Sequence, residues 1–229
     1  MNGIDLLVFD CDGVLVDSEV LVMEVEATML TEAGFPLSTD EIADNYIGLS
    51  YASMMADLAA RHGRPVPEEL SRRVQQAAID RFPDPLQPVP GMVELLGDSP
   101  LPRFVASSSD IDRIELSLRV TGLADRFAPG SVFSAQMVER GKPAPDLFLL
   151  AASTLGVDPG ACLVIEDSTA GVAAARAAGM DVVGLVAGGH ARPHLRRQLY
   201  DAGAELVFER VDQLADHLAG RATDQRQAD

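Results

Sequence analysis

The chain has 229 residues, 47% of them hydrophobic, which suffices for a sizeable core in one large domain or in a domain with an insertion. Its 35 acidic residues outnumber its 18 basic ones, and the formal net charge is −17. This charge excludes nucleic acid as an expected partner, because it repels a phosphate backbone. A small anionic ligand would be repelled as well, unless local cations or a metal ion offset the field.

Six aliphatic runs are typical of buried strands, and helical patterns separate most of them. The runs cover residues 4–9, 103–107, 131–134, 161–166, 181–186 and 204–208. The helical patterns cover 110–120, 145–156 and 168–180, and the last begins at a serine cap and stops at a glycine. Helices that alternate with strands of continuous apolar character predict an α/β fold, with a doubly wound parallel sheet covered on both faces.

The segment between the first and second predicted strands is only helical in pattern. Helices are predicted over 19–33, 40–46, 50–62 and 68–81, and a stretch with four prolines follows at 82–91. Such a connector is stiff and extended, which suits a domain boundary. We therefore predict an α/β core formed by residues 1–16 and 88–229, with residues 17–87 inserted as a helical cap.

The two cysteines, Cys11 and Cys162, are about 150 positions apart and form no paired motif. This usage is typical of a reducing compartment, and both are predicted to be buried small apolar residues. No apolar stretch approaches the ~20 residues needed to cross a bilayer, and no basic region precedes the first apolar run. We expect a cytoplasmic protein without membrane contact, as a monomer or a weak homodimer.

Charged and hydroxyl residues follow the predicted strands at the points where the strands end. Asp10 follows the first run within FDCDGVLVDSE, serines 107–109 end the second run, and Glu166 and Asp167 end the fourth. Lys142 lies in the loop GKPAPD after the third run. Ligands of a doubly wound sheet bind beyond the carboxyl ends of its strands, so these groups are expected at one site.

Together these segments resemble the motifs of the haloacid dehalogenase superfamily of phosphotransferases, in the branch with a helical cap after the first motif. The resemblance rests on DCDGVLVDSE, the serine at the end of VASSS, the lysine of GKPAPDLF and the acidic pair of VIEDSTAG. Four motifs in the same order are specific, whereas any one alone would be weak. The resemblance implies a Rossmann-like core and phosphoryl-transfer chemistry.

The family pattern assigns roles to both aspartates of the opening motif. Asp10 would be the nucleophile that attacks phosphorus and forms an aspartyl phosphate. Asp12 would protonate the leaving oxygen and then take a proton from the attacking water. Residues i and i+2 of a strand share a face, and a turn begun by Gly13 would bring both carboxylates to one phosphate. Asp17 and Ser18 are expected to begin the cap helix.

The resemblance also implies Mg²⁺ as the cofactor, held by Asp10, Glu166, Asp167 and the backbone carbonyl of Asp12. Carboxylates, water and phosphate are the hard oxygen ligands that suit this ion. Like charges at ~4 Å repel by several kcal/mol at a protein-like dielectric, so three carboxylates and a phosphate dianion require cations.

Phosphate binding is assigned to three of the motifs. Lys142 would place a positive charge between phosphate and nucleophile, and it is therefore both a catalytic and a phosphate-binding residue. Ser107 and the backbone N–H groups near Asp12, Gly13 and Ser108 are expected to surround the phosphate oxygens.

These assignments predict a Mg²⁺-dependent phosphatase of a small phosphorylated metabolite, with a sugar or polyol phosphate favoured. A sugar phosphomutase of the β-phosphoglucomutase type is the first alternative. Such a mutase has a histidine and a phosphate-gripping arginine where this chain aligns Leu21 and Tyr51, which favours hydrolysis. A haloacid dehalogenase proper fits poorly, because it needs no metal and lacks an acid at the position of Asp12. A non-catalytic relative is disfavoured by the intact motif residues.

The individual substrate is not evident from the sequence. Candidates for contacting it from the cap are Tyr46, Tyr51, Arg72 and Arg73. His190 and His194 have the spacing of metal ligands, but the glycines before them and Pro193 between them indicate a loop and a helix entry. Surface positions are therefore predicted for both histidines.

Overall fold

The computed structural model describes residues 3–46, 51–83 and 86–228, apart from the side chains of 51–52 and 222–228. Its centre is a sheet of six parallel strands in the order β3-β2-β1-β4-β5-β6. The strands are β1 Leu6–Phe9, β2 Arg103–Ser107, β3 Val132–Ser134, β4 Cys162–Glu166, β5 Asp181–Leu185 and β6 Leu206–Phe208. The order reverses between β1 and β4, which opens a crevice at the carboxyl ends of these two strands.

The strands are mostly apolar, with charged residues only at strand ends, because both faces of the sheet are covered. In β1, Leu7 and Phe9 belong to one hydrophobic cluster and Leu6 and Val8 to the cluster on the opposite face. This division follows from the two-residue period of a strand. The doubly wound α/β fold predicted from the sequence is confirmed, and all six predicted strands are present.

Ten helices accompany the sheet in the described residues. They are α1 Ser18–Glu32, α2 Thr39–Asn45, α3 Tyr51–His62, α4 Glu68–Arg81, α5 Met92–Asp98, α6 Ile111–Val120, α7 Asp146–Leu155, α8 Thr169–Ala177, α9 Pro193–Ala202 and α10 Val211–Ala228. The predicted bounds of α4 coincide with the observed ones, whereas residue 50, the predicted start of α3, lies outside the described residues. None of the described helices is both long and apolar enough to cross a membrane.

Helices α1 to α4, termed the inserted helices below, lie between β1 and β2 and have a hydrophobic cluster of their own. Leu30, Phe35 and Leu58 are fully buried in it. Where the chain enters and leaves these helices, two backbone hydrogen bonds join Asp17 N to Gln87 O at 2.9 Å and Val89 N to Leu15 O at 3.0 Å. On this basis we propose the boundaries 1–16 and 88–229 for the core and 17–87 for the cap.

Candidate active site

The carboxyl ends of β1 and β4 carry a buried ionic cluster. Lys142, the single lysine of the chain, donates hydrogen bonds of 2.6 Å to Asp10 and to Glu166 and one of 2.9 Å to the carbonyl of Ala106. The Lys142 side chain is only 3% exposed. Burial favours its neutral form, but attraction to Asp10 and Glu166 outweighs burial and raises the pKa of Lys142. The ammonium therefore stays charged and fixes the orientation of the Asp10 carboxylate.

Glu166 is held by the start of α8 as well as by Lys142. Its Oε2 accepts hydrogen bonds from the N–H groups of Asp167 and Ser168 at 3.0 Å and from the Ser168 hydroxyl at 2.9 Å. Ser168 also caps α8, since its Oγ accepts from Gly171 N. A Cβ at position 171 would lie 1.7 Å from Glu166 Oε1, so this carboxylate fits only against a glycine.

Asp167 lies between two loops that approach it closely. Gly13 has a φ of +76°, and a Cβ there would lie 1.9 Å from Asp167 Oδ2, so glycine is required for both the turn and the contact. From the loop after β5, His190 places its Nε2 3.2 Å from the same oxygen. Burial disfavours the charged imidazole, but Asp167 outweighs this and raises the pKa of His190.

Asp12 is saturated with donors. Its Oδ1 accepts from the Ser18 hydroxyl at 2.5 Å and from Arg113 at 2.8 Å, and its Oδ2 accepts from the Ser109 hydroxyl at 2.6 Å. Burial alone would raise the pKa of Asp12, but Arg113 and the hydroxyls reverse the effect and lower the pKa. Ser18 begins α1, as predicted, while the Asp17 carboxylate accepts from Gly189 N instead of capping that helix.

The groups expected to bind phosphate follow the ends of β1 and β2. Ser107 is buried and its Oγ accepts from Ser109 N at 3.1 Å, which leaves the hydroxyl proton available. The N–H groups of Asp12 and Ser108 have no hydrogen-bond acceptor within the described part of the chain. The N–H of Gly13 instead donates to Val16 O at 2.8 Å. The turn itself therefore uses this N–H, and its predicted part in phosphate binding stays a prediction.

The predicted metal ligands satisfy a simple test of fit. One carboxylate oxygen from each of Asp10, Glu166 and Asp167 lies within 4.8 Å of the others. Three carboxylates against one ammonium leave an excess of negative charge, and burial raises the pKa of Asp10 well above its usual range despite the nearby Lys142. A divalent cation with oxygen ligands would relieve both the repulsion and the lack of solvation.

A chamber of about 540 Å³ opens above these groups, between the core and the inserted helices. Its floor is formed by the residues just described. Its opposite wall is formed by the inserted helices. The side chains come from α1, from α2 and the residue after it, and from α3, namely Glu19, Val22, Met23, Glu26, Ile42, Tyr46 and Met54. The volume is in the range of pockets that enclose small metabolites.

Several sequence predictions are corrected or extended by the chamber. Tyr46 lines it, as predicted. Arg72 and Arg73 are exposed on α4 and do not line it, and Arg72 pairs with Glu69. The side chain of Tyr51 lies outside the described residues. His190 is 1% exposed and lines the chamber, so its predicted surface position is wrong.

The remaining findings concern residues to which the sequence assigned no role in the site. Arg113, Glu19 and Glu26 line the chamber, and the sequence analysis did not identify them. Nearness in sequence could have suggested Arg113, which lies in the first turn of α6 shortly after the serines that follow β2. Cys11 and Cys162 are both free and buried in the two core clusters, as predicted.

Comparison with known families agrees with this geometry. A family model described as haloacid dehalogenase-like hydrolase matches residues 7–185. The chain therefore belongs to the haloacid dehalogenase-like hydrolase family, and the resemblance predicted from its four motifs is confirmed.

Individual relatives cover most of the chain. The 6-phosphogluconate phosphatase of Escherichia coli K12 is 30% identical over 194 residues, which are 84% of this chain and 87% of that protein. Hexitol phosphatase B of the same organism is 33% identical over 179 residues, 76% of this chain and 79% of that protein. A haloacid dehalogenase-like protein of unknown function from Agrobacterium tumefaciens superposes with a TM-score of 0.90 at 36% identity, covering 96% of this chain and 100% of that chain.

Proposed function

We propose that the protein is a Mg²⁺-dependent phosphatase, a phosphoric monoester hydrolase that acts on a small phosphorylated metabolite of the sugar or polyol phosphate class. The observation that carries this proposal is the Asp10 carboxylate, fixed by Lys142 at the floor of the chamber with Asp12 beside it. The names of the two relatives from Escherichia coli, phosphatases of a sugar acid phosphate and of hexitols, support the substrate class.

In the first half of the reaction, Asp10 attacks phosphorus and a bond forms between its carboxylate oxygen and the phosphoryl group. The bond to the leaving oxygen breaks, and Asp12 supplies the proton that this oxygen needs. Lys142 holds the nucleophile in place, while the Ser107 hydroxyl and the free N–H groups of Asp12 and Ser108 are positioned to bind phosphate oxygens.

In the second half, water attacks the phosphorus of the aspartyl phosphate. Asp12, now deprotonated, takes a proton from this water, and the bond to Asp10 breaks to release inorganic phosphate. The hydrogen bonds that Asp12 accepts from Ser18, Ser109 and Arg113 favour its ionised form, which is the form required of the base. A substrate must displace or share some of these donors for Asp12 to begin as an acid.

The metal would be held by Asp10, Glu166, Asp167 and the backbone carbonyl of Asp12. When bound, Mg²⁺ supplies positive charge that offsets the carboxylates and the phosphoryl oxygens. Glu166 already accepts hydrogen bonds on both oxygens, and His190 contacts Asp167, so the protein holds these two ligands in place before the ion arrives.

The wall of the chamber supports hydrolysis over the mutase alternative. A mutase must grip the second phosphate of a bisphosphate intermediate, which calls for a cation on the cap side. Among the described residues that line the chamber, the basic ones are Arg113, Lys142 and His190, and all three belong to the core segments. The inserted helices contribute two acidic residues instead.

The proposal is tested by measuring phosphate release from a panel of sugar and polyol phosphates. We expect release that requires Mg²⁺, stops in EDTA, returns with excess Mg²⁺ and is inhibited by Ca²⁺, whose longer bonds would misplace the phosphate. Full activity in EDTA would contradict the metal site. If no compound of the panel released phosphate, the proposed phosphatase activity would be contradicted.

For location and assembly, we propose what the sequence predicts. Two free, buried cysteines accord with a reducing, cytoplasmic setting, and the net charge of −17 disfavours nucleic acid. We propose a monomer or weak homodimer whose partner in function is the small metabolite alone.

A further inference from the structure

Helix α1 presents two acidic side chains to the chamber. Glu19 and Glu26 are seven residues apart, which is close to two turns of an α-helix, and they therefore project from the same side. Val22 and Met23 line the chamber between them. Glu26 is 6% exposed, although it lies on a helix that has exposed faces elsewhere.

Neither acid has a partner among the described residues. No described group donates a hydrogen bond to Glu19 or Glu26, and neither forms an ion pair. Burial raises the pKa of Glu19 to about 7 and that of Glu26 to about 8, which reflects how poorly the protein solvates them. A buried polar group without a partner costs free energy, so a ligand that supplies the missing donors would be favoured here.

The nearby cations do not fill this need. Arg113 lies close enough to stabilise the charges of both acids, and His190 that of Glu19, but Arg113 donates to Asp12 and His190 contacts Asp167. Asp12 lies at the phosphate end of the chamber, so Arg113 is held toward the catalytic groups, although its buried Nε has no hydrogen-bond partner among the described residues. The distal end of the chamber, marked by Glu26, is left with an acceptor whose only nearby cation in the described residues is Arg113.

We infer that Glu19 and Glu26 are specificity-determining residues, which accept hydrogen bonds from hydroxyl groups of the leaving alcohol and select substrates without a second negative charge. This inference rests on the proposed phosphatase function. Hydroxyl groups donate readily to carboxyl oxygens, whereas a carboxylate or a second phosphate at this end would be repelled when the two acids are ionised, above about pH 8. Within the proposed substrate class, phosphates of neutral polyols or sugars are accordingly favoured over sugar acid phosphates.

A matched pair of substrates tests the inference. Glucitol 6-phosphate and 6-phosphogluconate differ only at the terminal carbon opposite the phosphate. This carbon belongs to a hydroxymethyl group in the first compound and to a carboxylate in the second. At pH 8.5, we expect kcat/KM to be at least about tenfold higher for glucitol 6-phosphate, the equivalent of about 1.4 kcal/mol. Glu26→Gln should reduce this ratio at least about threefold, because it removes the charge and keeps the shape.

Two further variants separate specific from general effects. Glu26→Leu should lower kcat/KM for glucitol 6-phosphate about tenfold, because the acceptor is lost. Glu24→Gln changes an exposed acid of the same helix and should leave the ratio unchanged. Equal or better turnover of 6-phosphogluconate by the wild type, or an unchanged ratio in Glu26→Gln, would overturn the inference.

Failure of the inference and failure of the proposed function give different results. Hydrolysis of 4-nitrophenyl phosphate without the substrate preference would leave the phosphatase standing and reject the role of the two acids. If no phosphate ester were hydrolysed, the phosphatase proposal would fail. Calorimetric titration of Asp10→Asn with each hexose derivative would then test recognition alone, with tighter binding of glucitol 6-phosphate expected and equal binding contradicting it.

Discussion

The two ends of the chamber differ in how their charges are satisfied. At the core end, Lys142 contacts Asp10 and Glu166, and Asp12 accepts hydrogen bonds from three side chains. On the side of the inserted helices, Glu19 and Glu26 accept no hydrogen bond and form no ion pair within the described residues, although Arg113 lies near both and His190 near Glu19. Both ends are buried, so the difference lies in preorganisation rather than in exposure to water.

This contrast separates chemistry from recognition. Groups that must act on every substrate are held by the protein in one geometry, because a nucleophile is effective only when it is positioned before the reaction. Groups that recognise the variable part of the substrate can lack hydrogen-bond partners until the ligand supplies them. Replacing a charged residue of the core end by a neutral one should therefore destabilise the folded protein. The same kind of replacement at the distal end should stabilise it.

The largest effect is expected from Lys142→Met. This change leaves Asp10 and Glu166 buried without their cation, and we expect the free energy of unfolding in the absence of metal to fall by about 3–5 kcal/mol. Turnover should drop below about a hundredth of the wild-type rate. Urea denaturation and phosphate release measure the two effects.

Arg140→Met is the matched control for that variant. Arg140 lies two residues earlier in the same loop and pairs with Asp146 on the surface, with a side chain that is 67% exposed. Exposed pairs contribute at most about 1 kcal/mol, so its loss should be small. If the two variants were equally stable, the buried cluster would not be the preorganised structure we describe.

A smaller effect is expected from His190→Asn, which tests the support of the metal site. Loss of the contact with Asp167 should raise the Mg²⁺ concentration for half-maximal activity about tenfold, with much of the rate restored at saturating metal. His194→Asn should leave the metal dependence unchanged, since His194 does not line the chamber. A lower rate in His190→Asn with unaltered Mg²⁺ dependence would show that His190 does not position the metal ligand.

The distal end is probed by the pH dependence of stability. Because the folded-state pKa of Glu26 is raised from 4.5 to about 8, the folded protein retains a proton that the unfolded chain loses. The wild type should therefore lose stability as pH rises from about 4.5 to 8, by up to about 1.4 kcal/mol per pH unit from this group. Glu26→Gln should flatten the slope in this window, and Glu24→Gln should not. An unchanged slope in Glu26→Gln would mean that Glu26 is solvated or paired.

The core end was predictable because its residues follow strands in sequence motifs. Asp10, Ser107 and Glu166 occur where apolar runs stop, and the carboxyl ends of parallel strands meet at one edge of the sheet. Periodicity located the inserted helices for a similar reason, since their apolar residues recur at helical spacing. Local pattern and tertiary position agree in these segments.

Other residues of the chamber could not be predicted, because they are brought together only by packing between distant segments. Glu26 is a charged residue of a type that usually occupies exposed positions of a helix, and it is buried only because α1 lies over the core. His190 was predicted at the surface from a glycine-rich loop, but that loop folds against Asp17 and Asp167, which its sequence does not reveal.

The role of Asp10 as phosphoryl acceptor is tested most directly by chemical trapping. Enzyme mixed with Mg²⁺ and a substrate found in the panel is quenched during turnover and treated with borohydride, which reduces an aspartyl phosphate to homoserine. We expect mass spectrometry to find homoserine at position 10 and nowhere else, and we expect Asp10→Asn to release phosphate at less than about a hundredth of the wild-type rate. Rapid phosphate release without modification of Asp10, or a higher residual rate in Asp10→Asn, would contradict covalent catalysis at this residue.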